Sequence, residues 1–286
     1  NTLRQVTQGK SVLSSLLDDE GVQRRGTGFW GIKEKCQPLQ GFDPDLPEWL
    51  QRSNTDDLVS DDIGTKISVI GFRRDLLEYW QERIACAVVM NFFAAIHNNR
   101  LEVHIGDKYT FNKESLVPNI NSPYFLANLE KSQEADWQEQ LDTCNEFLPI
   151  LYDSDEVIVK SKDDVKHLGR CELRIKISEE MSKKVCFIRN GMFITDEQKA
   201  RGIQNFSSLK EFSAIFQCKN LEGNKLLRSM ENPSHSMFEP DRLEEHRDRL
   251  RAKAAIDEMG RWIREELVLC PQEKVSDVRD IEDLLE

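Results

Sequence analysis

The feature that most constrains the fold is a long apolar pattern between Asp75 and His97. Its apolar residues recur every three to four positions, the spacing that places side chains on one face of an α-helix. They are Leu77, Trp80, Ile84, Val88, Phe92 and Ile96. Ala85, Val89 and Phe93 widen this stripe. The segment therefore predicts a core helix that is buried on more than one side.

Segments rich in alternating or β-branched apolar residues predict strands around this helix. These strands are Ile63–Phe72, Arg100–Ile105, Tyr109–Phe111, Glu156–Lys160, Arg170–Ser178 and Phe212–Cys218, with a hairpin over Lys184–Ile194 that turns at Asn190-Gly191. Other predicted helices are 1–20, Pro47–Arg52, Ala135–Phe147 and Arg242–Leu269, the last of which ends at Pro271. Together these elements predict an α+β fold.

The composition excludes several classes of protein. No run approaches the roughly 18 apolar residues of a membrane span, and the first ten residues have no signal-peptide pattern. The seven cysteines form no CxxC pair and lie near no histidine at zinc spacing. They indicate small core residues in a cytoplasmic protein rather than a disulfide or metal framework. The net charge of −12 argues against nucleic-acid binding, although a local basic patch stays open.

Two glycine-containing segments are candidates for phosphate contact. The first, Gly26-Thr27-Gly28-Phe29-Trp30-Gly31, precedes a predicted short helix at Ile32–Lys35. Glycines let a backbone approach a phosphate closely, and amides at a helix start can bind an anion. The alternative is an ordinary turn that Phe29 and Trp30 anchor. No Walker motif is present, since no Gly-Lys-Ser follows at the required spacing. The second segment, Gly64-Thr65, opens the strand Ile63–Phe72.

In this order, the two segments resemble the second half of the nucleotide-binding domain of GHKL ATPases. This superfamily includes gyrase B subunits, heat-shock chaperones, histidine kinases, MutL and MORC proteins. In these proteins a lid leads to a glycine turn and then to a Gly-Thr strand, and MutL has the most similar arrangement. The resemblance implies that the cofactor is bound by Gly26, Gly28, Phe29, Gly31 and Thr65.

The resemblance also implies a domain order. Residues 1–74 would be the remnant of a GHKL α/β sandwich, 75–240 a transducer-like α/β domain, and 241–286 a long helix with an acidic tail. The transducer of these proteins supplies a cation to the γ-phosphate, which offsets charge during phosphoryl transfer. Arg189 is the preferred catalytic candidate, because a residue beside a tight turn is expected to be exposed yet fixed. Lys184 and Arg228 are the other candidates.

ATP and Mg are the cofactors that the resemblance implies, in a hydrolase that dimerises on binding nucleotide. GHKL proteins hold Mg-ATP with a helix bearing Glu and Asn and with an Asp-x-Gly turn, both of which precede the lid. This chain begins at the lid. We therefore expect it to be a piece of a longer ATPase, to bind ATP weakly or not at all, and to hold no metal of its own.

Two other functions stay open. The long helices could make the chain a non-catalytic module for protein interaction or assembly, either as a homodimer or with a partner protein. A nuclease is the other possibility, but no carboxylate cluster has a convincing spacing. Action on DNA or in defence is an expectation from family analogy alone. His235, in a proline-bracketed loop, is interpreted as a surface hydrogen-bonding residue, because the histidines form no triad or ligand spacing.

Overall fold

The structure of the chain is a computed structural model. It describes residues 6–12, 16–17, 19–24, 26–32, 37–40, 67, 78–132, 136–198, 200–203 and 205–282. The chain divides into two compact units, residues 1–73 and 74–286. Both helices and strands are present, so the predicted α+β class is confirmed. Among the described residues, no helix is both long enough and apolar enough to cross a membrane.

The described segments of the first unit form short antiparallel strand pairs. Its strands are β1 (Val6–Thr7), β2 (Gly9–Val12), β3 (Leu16–Leu17), β4 (Gln23–Arg24), β5 (Thr27–Trp30) and β6 (Leu39–Gln40). β1 pairs with β6, β2 with β5, and β3 with β4. The helix predicted over 1–20 is therefore wrong where the structure describes it. Strand partners elsewhere in the chain decide this segment, and local helix propensity is too weak to oppose them.

The turn predicted at Gly26–Gly31 is also wrong, because Thr27–Trp30 is a strand. Gly28 is paired with Ser11 in the ladder between β2 and β5. Gly26 and Gly31 lie in bends at the two ends of that strand. Other predictions for this unit lie outside the described residues, namely the helix Pro47–Arg52, the segment 33–35, and Gly64-Thr65 with the strand that it opens.

The second unit contains six helices and seven strands among its described residues. The helices are α1 (Trp80–His97), α2 (Leu116–Ile120), α3 (Pro123–Lys131), α4 (Trp137–Phe147), α5 (Leu221–Met230) and α6 (His246–Glu282). The strands are β7 (Val103–Ile105), β8 (Tyr109–Phe111), β9 (Val157–Val165), β10 (Gly169–Ile177), β11 (Lys184–Arg189), β12 (Met192–Thr195) and β13 (Phe212–Cys218). The predicted hairpin of β11 with β12 is confirmed, and the strands predicted at Arg100–Ile105 and Tyr109–Phe111 are found as β7 and β8, which pair with each other.

The centre of this unit is a five-stranded sheet in the order β12-β11-β13-β10-β9. β11 and β13 run parallel, and the other neighbours are antiparallel. Successive residues of β11 belong to two separate apolar clusters. Phe187 packs in the cluster that includes α5 and α6, and Ile188 packs in the cluster that includes α1 to α4. The sheet is therefore the middle layer between two layers of helices, which explains why β11 is apolar on both faces.

The core helix predicted over Asp75–His97 is confirmed over Trp80–His97, whereas Glu78 and Tyr79 form a turn before it. The most buried face also differs from the predicted one. Ala85, Val89 and Phe93 are fully buried, whereas Ile84 is 41% exposed. Phe92 is half-buried at the edge of the same cluster. Ala85, Val89 and Phe93, which were expected only to widen the buried face, thus lie at its centre, because α1 packs against both β12 and α4.

Three helices were missed by the sequence patterns, namely α2, α3 and α5. Each is at most ten residues long, so its apolar period repeats too few times to be recognised. Asn220 caps α5, and its Oδ1 accepts a hydrogen bond from the Gly223 N–H at 2.9 Å. Pro271 does not end α6, which continues to Glu282. Inside a helix a proline removes one hydrogen bond and its ring crowds the carbonyl four residues earlier, which can kink a helix without ending it.

The six cysteines that the structure describes are buried free thiols, which confirms their interpretation as core residues.

Candidate functional site

A polar cleft lies where the parallel strands β11 and β13 end. Ile188 is in register with Gln217, so the Asn190-Gly191 turn and Lys219 follow the two strands at the same edge of the sheet. In sheets with parallel strands, ligands bind preferentially outside the carboxyl ends of those strands. This edge is therefore the first place to look for a binding site.

The turn between β11 and β12 is held tightly against α1. Asn190 and Gly191 have φ values of 52° and 89°, the left-handed conformation that a tight hairpin turn requires. The Ala95 N–H donates to the Gly191 carbonyl oxygen over 3.1 Å. A Cβ on Gly191 would lie 2.8 Å from the Ala95 Cβ. The turn and the last turn of α1 therefore have to move together.

This close approach gives a stability prediction. Gly191→Ala is expected to lower the free energy of unfolding by about 1–3 kcal/mol, because it combines a strained φ with a clash against the helix backbone. Urea denaturation measures the loss. Gly106→Ala is the matched control, since Gly106 also has a positive φ but its Cβ would meet only the mobile end of Gln81. Equal losses for the two variants would contradict the proposed tight contact with α1.

The cleft has a volume of about 190 Å³ and a mainly polar lining. It is lined by Asn98, Arg100, Ile188, Asn190, Gly191, Gln217, Cys218, Lys219 and Asn224. Arg100 is exposed, and no carboxylate of the described residues lies within ion-pair distance of it. Lys219 Nζ is 3.2 Å from Glu172 Oε1, so its charge is partly offset. The cleft thus has a net positive lining, with amide groups beside the two cations.

Asn224 provides an unsatisfied polar atom in this lining. Its Nδ2 donates to the carbonyl oxygens of Cys218 at 2.8 Å and Asn220 at 2.9 Å. These two acceptors fix the orientation of the amide, because a flipped Asn224 would place its oxygen against both carbonyls. Its buried Oδ1 then has no hydrogen-bond partner among the residues that the structure describes. Buried acceptors without a partner are rare, and a bound water or ligand commonly satisfies them.

Arg189 does not lie free at the turn, so the expectation that it is exposed is wrong. Its side chain is 11% exposed and forms a two-pronged pair with Glu231, with Nε donating to Oε1 and Nη2 to Oε2 at 2.9 Å. The other Glu231 contact is with His235, whose Nδ1 is 2.7 Å from Oε2. His235 is half-exposed and makes a hydrogen bond, as its interpretation as a surface residue predicts.

The other sequence-predicted cations do not join Arg189. Lys184 lies at the opposite end of β11, about 16 Å away at the usual strand rise, and its Nζ is 2.6 Å from Asp196 Oδ2. Burial lowers the pKa of Lys184, but the hydrogen bond to Asp196 outweighs it, and the net shift is upward. Arg228 is exposed on α5. The roles predicted for these residues toward a phosphate stay predictions.

A second polar cluster surrounds Glu82, a buried carboxylate of α1 that sequence patterns did not single out. Its Oε1 accepts hydrogen bonds from Lys108, from the Tyr109 hydroxyl at 2.8 Å and from Asn128 Nδ2 at 3.1 Å. Burial raises its pKa, but these donors outweigh burial and lower it overall. Burial and Glu82 raise the pKa of Tyr109 to about 12. The Glu82 carboxylate thus accepts hydrogen bonds from three side chains. These bonds join α1 to the β7–β8 hairpin and to α3.

Among residues that the structure describes, no three His, Cys, Asp or Glu side chains are grouped so that they could hold a metal ion. No protein-family model, no curated protein and no solved structure matches this chain.

Proposed function

We propose that this chain acts in a nucleotide-dependent conformational switch of the GHKL type, and that its cleft contacts phosphate groups. The observation that carries the proposal is the position and chemistry of the cleft. It lies at the carboxyl ends of two parallel strands and contains an exposed arginine that pairs with no carboxylate in the described part of the chain. Arginine presents several donors in a planar fork that matches phosphate oxygens.

The surroundings of the cleft supply a way to transmit binding as movement. The Gly191 carbonyl accepts from the Ala95 N–H, so the cleft wall is attached to α1. α1 in turn packs against β12 and α4. An anion that draws Arg100 or the turn inward would therefore shift a whole helix rather than one loop. This is the action that the resemblance implies for a transducer.

The proposal reassigns the phosphate-contacting cation. Arg189 and Lys184 are each held by a carboxylate, so either would have to break an ion pair before it could reach a ligand. Arg100 needs no such exchange. ATP would bind the cleft through its phosphate groups, whose negative charge is complementary to the positive lining. Magnesium has no matching set of ligands in the described part of the chain, and we assign it no step. Dimerisation on nucleotide binding stays a prediction.

Titration of the chain with pyrophosphate, followed by 1H–15N NMR, tests this function. We expect the amide signals of Asn190, Gly191 and Lys219 to shift in a saturable way. Arg100→Ala should weaken binding by about tenfold or more, because a hydrogen bond to a charged group contributes about 1.5–3 kcal/mol. Arg247→Ala is the matched control and should leave the affinity unchanged, because Arg247 is an exposed arginine of the same unit that does not line the cleft.

Two results would overturn the proposal. One is the absence of shifts at the cleft amides at any pyrophosphate concentration. The other is an equal loss of affinity in Arg100→Ala and Arg247→Ala, which would indicate non-specific attraction of an anion to surface charge.

A further inference from the structure

Two of the buried cysteines face each other across the sheet. Cys171 on β10 and Cys218 on β13 are direct partners in an antiparallel ladder. Directly opposed residues in such a ladder have Cα atoms about 4.5–5.5 Å apart, which lies within the Cα separation of about 4.4–6.8 Å found in disulfides. The Lys219 N–H donates to the Arg170 carbonyl oxygen at 2.8 Å, so Cys171 and Cys218 form the adjacent non-hydrogen-bonded pair, in which opposed side chains lie closest. The two side chains are thus neighbours, and joining their sulfurs needs little backbone movement.

Cys218 is also the cysteine that a small oxidant can reach. It lines the polar cleft, whereas Cys171 lies behind it with no exposed surface. The neighbouring Cys171 thiol lowers the pKa of the Cys218 thiol, whereas Cys218 and burial raise the pKa of Cys171. Burial raises the pKa of Cys86 and of Cys144 to about 12. Since the thiolate is the reactive form, Cys218 is the favoured site of attack.

The position of the Cys218 sulfur is tied to the shape of the cleft. Its Sγ lies 3.4 Å from the Leu168 carbonyl oxygen and 3.5 Å from that of Asn220, the cap of α5. The Cys218 carbonyl oxygen accepts from Asn224, which also lines the cleft. Moving this sulfur toward Cys171 would remove its contacts with the α5 cap and shift the cleft lining.

We propose that Cys171 and Cys218 form a reversible disulfide under peroxide and that this bond alters the polar cleft. The Cys218 thiolate attacks one oxygen of hydrogen peroxide and becomes a sulfenic acid, with the other oxygen leaving as water after protonation. The Cys171 sulfur then attacks the Cys218 sulfur, and the sulfenic oxygen leaves as a second water. In total, two thiols and one peroxide give one disulfide and two waters. A dithiol reductant reverses the change.

Intact-mass analysis and non-reducing peptide mapping of the peroxide-treated chain test the chemistry. We expect the loss of two hydrogen atoms and one cross-linked peptide pair that contains Cys171 and Cys218. Cys171→Ala should instead stop at a sulfenic acid that a sulfenic-specific reagent traps. Cys144→Ala is the control and should form the same disulfide as the wild type. Unreacted thiols, or a disulfide between other cysteines, would overturn the proposal.

NMR of the oxidised chain tests the link to the cleft. The amide signals of Lys219, Asn220 and Gly223 should move on oxidation and return on reduction, and they should not respond to peroxide in Cys218→Ala, which can form neither the sulfenic acid nor the disulfide. A disulfide that leaves these signals unchanged would also overturn the proposal. We also expect the oxidised chain to bind pyrophosphate more weakly than the reduced chain. This expectation alone rests on the proposed function. If the reduced chain binds no pyrophosphate, that function fails, while the mass and amide signals still decide the fate of the disulfide.

Discussion

Phe93→Ala is expected to lower the free energy of unfolding by about 3–5 kcal/mol, the usual cost of truncating a fully buried aromatic side chain. Phe93 is completely buried in the cluster between α1 to α4 and the sheet. Its removal would leave a cavity that the surrounding helices cannot fill by side-chain movement alone. Urea denaturation followed by circular dichroism measures the change.

The neighbouring residue provides the control for this prediction. Phe92 is half-buried at the edge of the same cluster, so Phe92→Ala removes less buried surface and should cost clearly less. The two variants have the same composition and lie on the same helix, which makes their difference independent of helix propensity. Equal losses, or a larger loss for Phe92→Ala, would contradict the burial of α1 described above.

Glu231→Ala is expected to cause a loss of similar size, about 3–5 kcal/mol, because it leaves the buried Arg189 guanidinium without a counter-charge. Glu231 is almost fully buried and accepts from both Arg189 and His235. Thermal or urea denaturation at neutral pH measures the loss. The double variant Arg189→Met/Glu231→Leu removes both charges and should recover most of the stability, since apolar side chains can replace a buried ion pair.

An exposed ion pair of the same region is the control for this prediction. Glu239 lies 3.9 Å from Arg242, and both side chains are partly exposed. Glu239→Ala should therefore change the free energy of unfolding by less than about 1 kcal/mol. If Glu231→Ala were equally mild, water would have to reach Arg189, and the pair would not be buried.

The sequence predicts the elements that have long or alternating apolar patterns. α1, the β7–β8 hairpin and the β11–β12 hairpin are found where the residue spacing and the Asn190-Gly191 turn place them. The pattern cannot identify the centre of the buried face of α1, because the apolar residues of α1 cover more than half of its circumference. The choice between Phe92 and Phe93 depends on the layers above and below the helix, which the helix sequence does not encode.

The elements of the first unit, by contrast, could not be predicted from the sequence. Its described segments are short strands whose partners lie up to a few dozen residues away, and nothing in a two- or four-residue strand has a period to recognise. The glycines at 26, 28 and 31 are compatible with several backbone structures. A glycine in a strand such as β5 is indistinguishable, by residue type, from one in a phosphate-binding turn.

The candidate site was predicted only in part. The turn beside Arg189 is adjacent to the cleft, but the arginine itself points to Glu231, a partner 42 positions later. Arg100 carries no motif, since it follows the end of α1 as one of many surface cations. It becomes a candidate only because the fold brings the end of α1 beside the ends of β11 and β13. Contacts of this kind depend on tertiary structure.

The outer position of β9 in the five-stranded sheet has a consequence for how copies of this chain can associate. An edge strand offers unpaired N–H and C=O groups to any other strand, and this one is nine residues long. Its sequence carries Lys160, Lys162, Asp163 and Asp164, charges that discourage the addition of an uncharged strand. The opposite edge, β12, has only four residues. Strand addition to this sheet is thus disfavoured at both ends, and a dimer is expected to form through helices or loops instead.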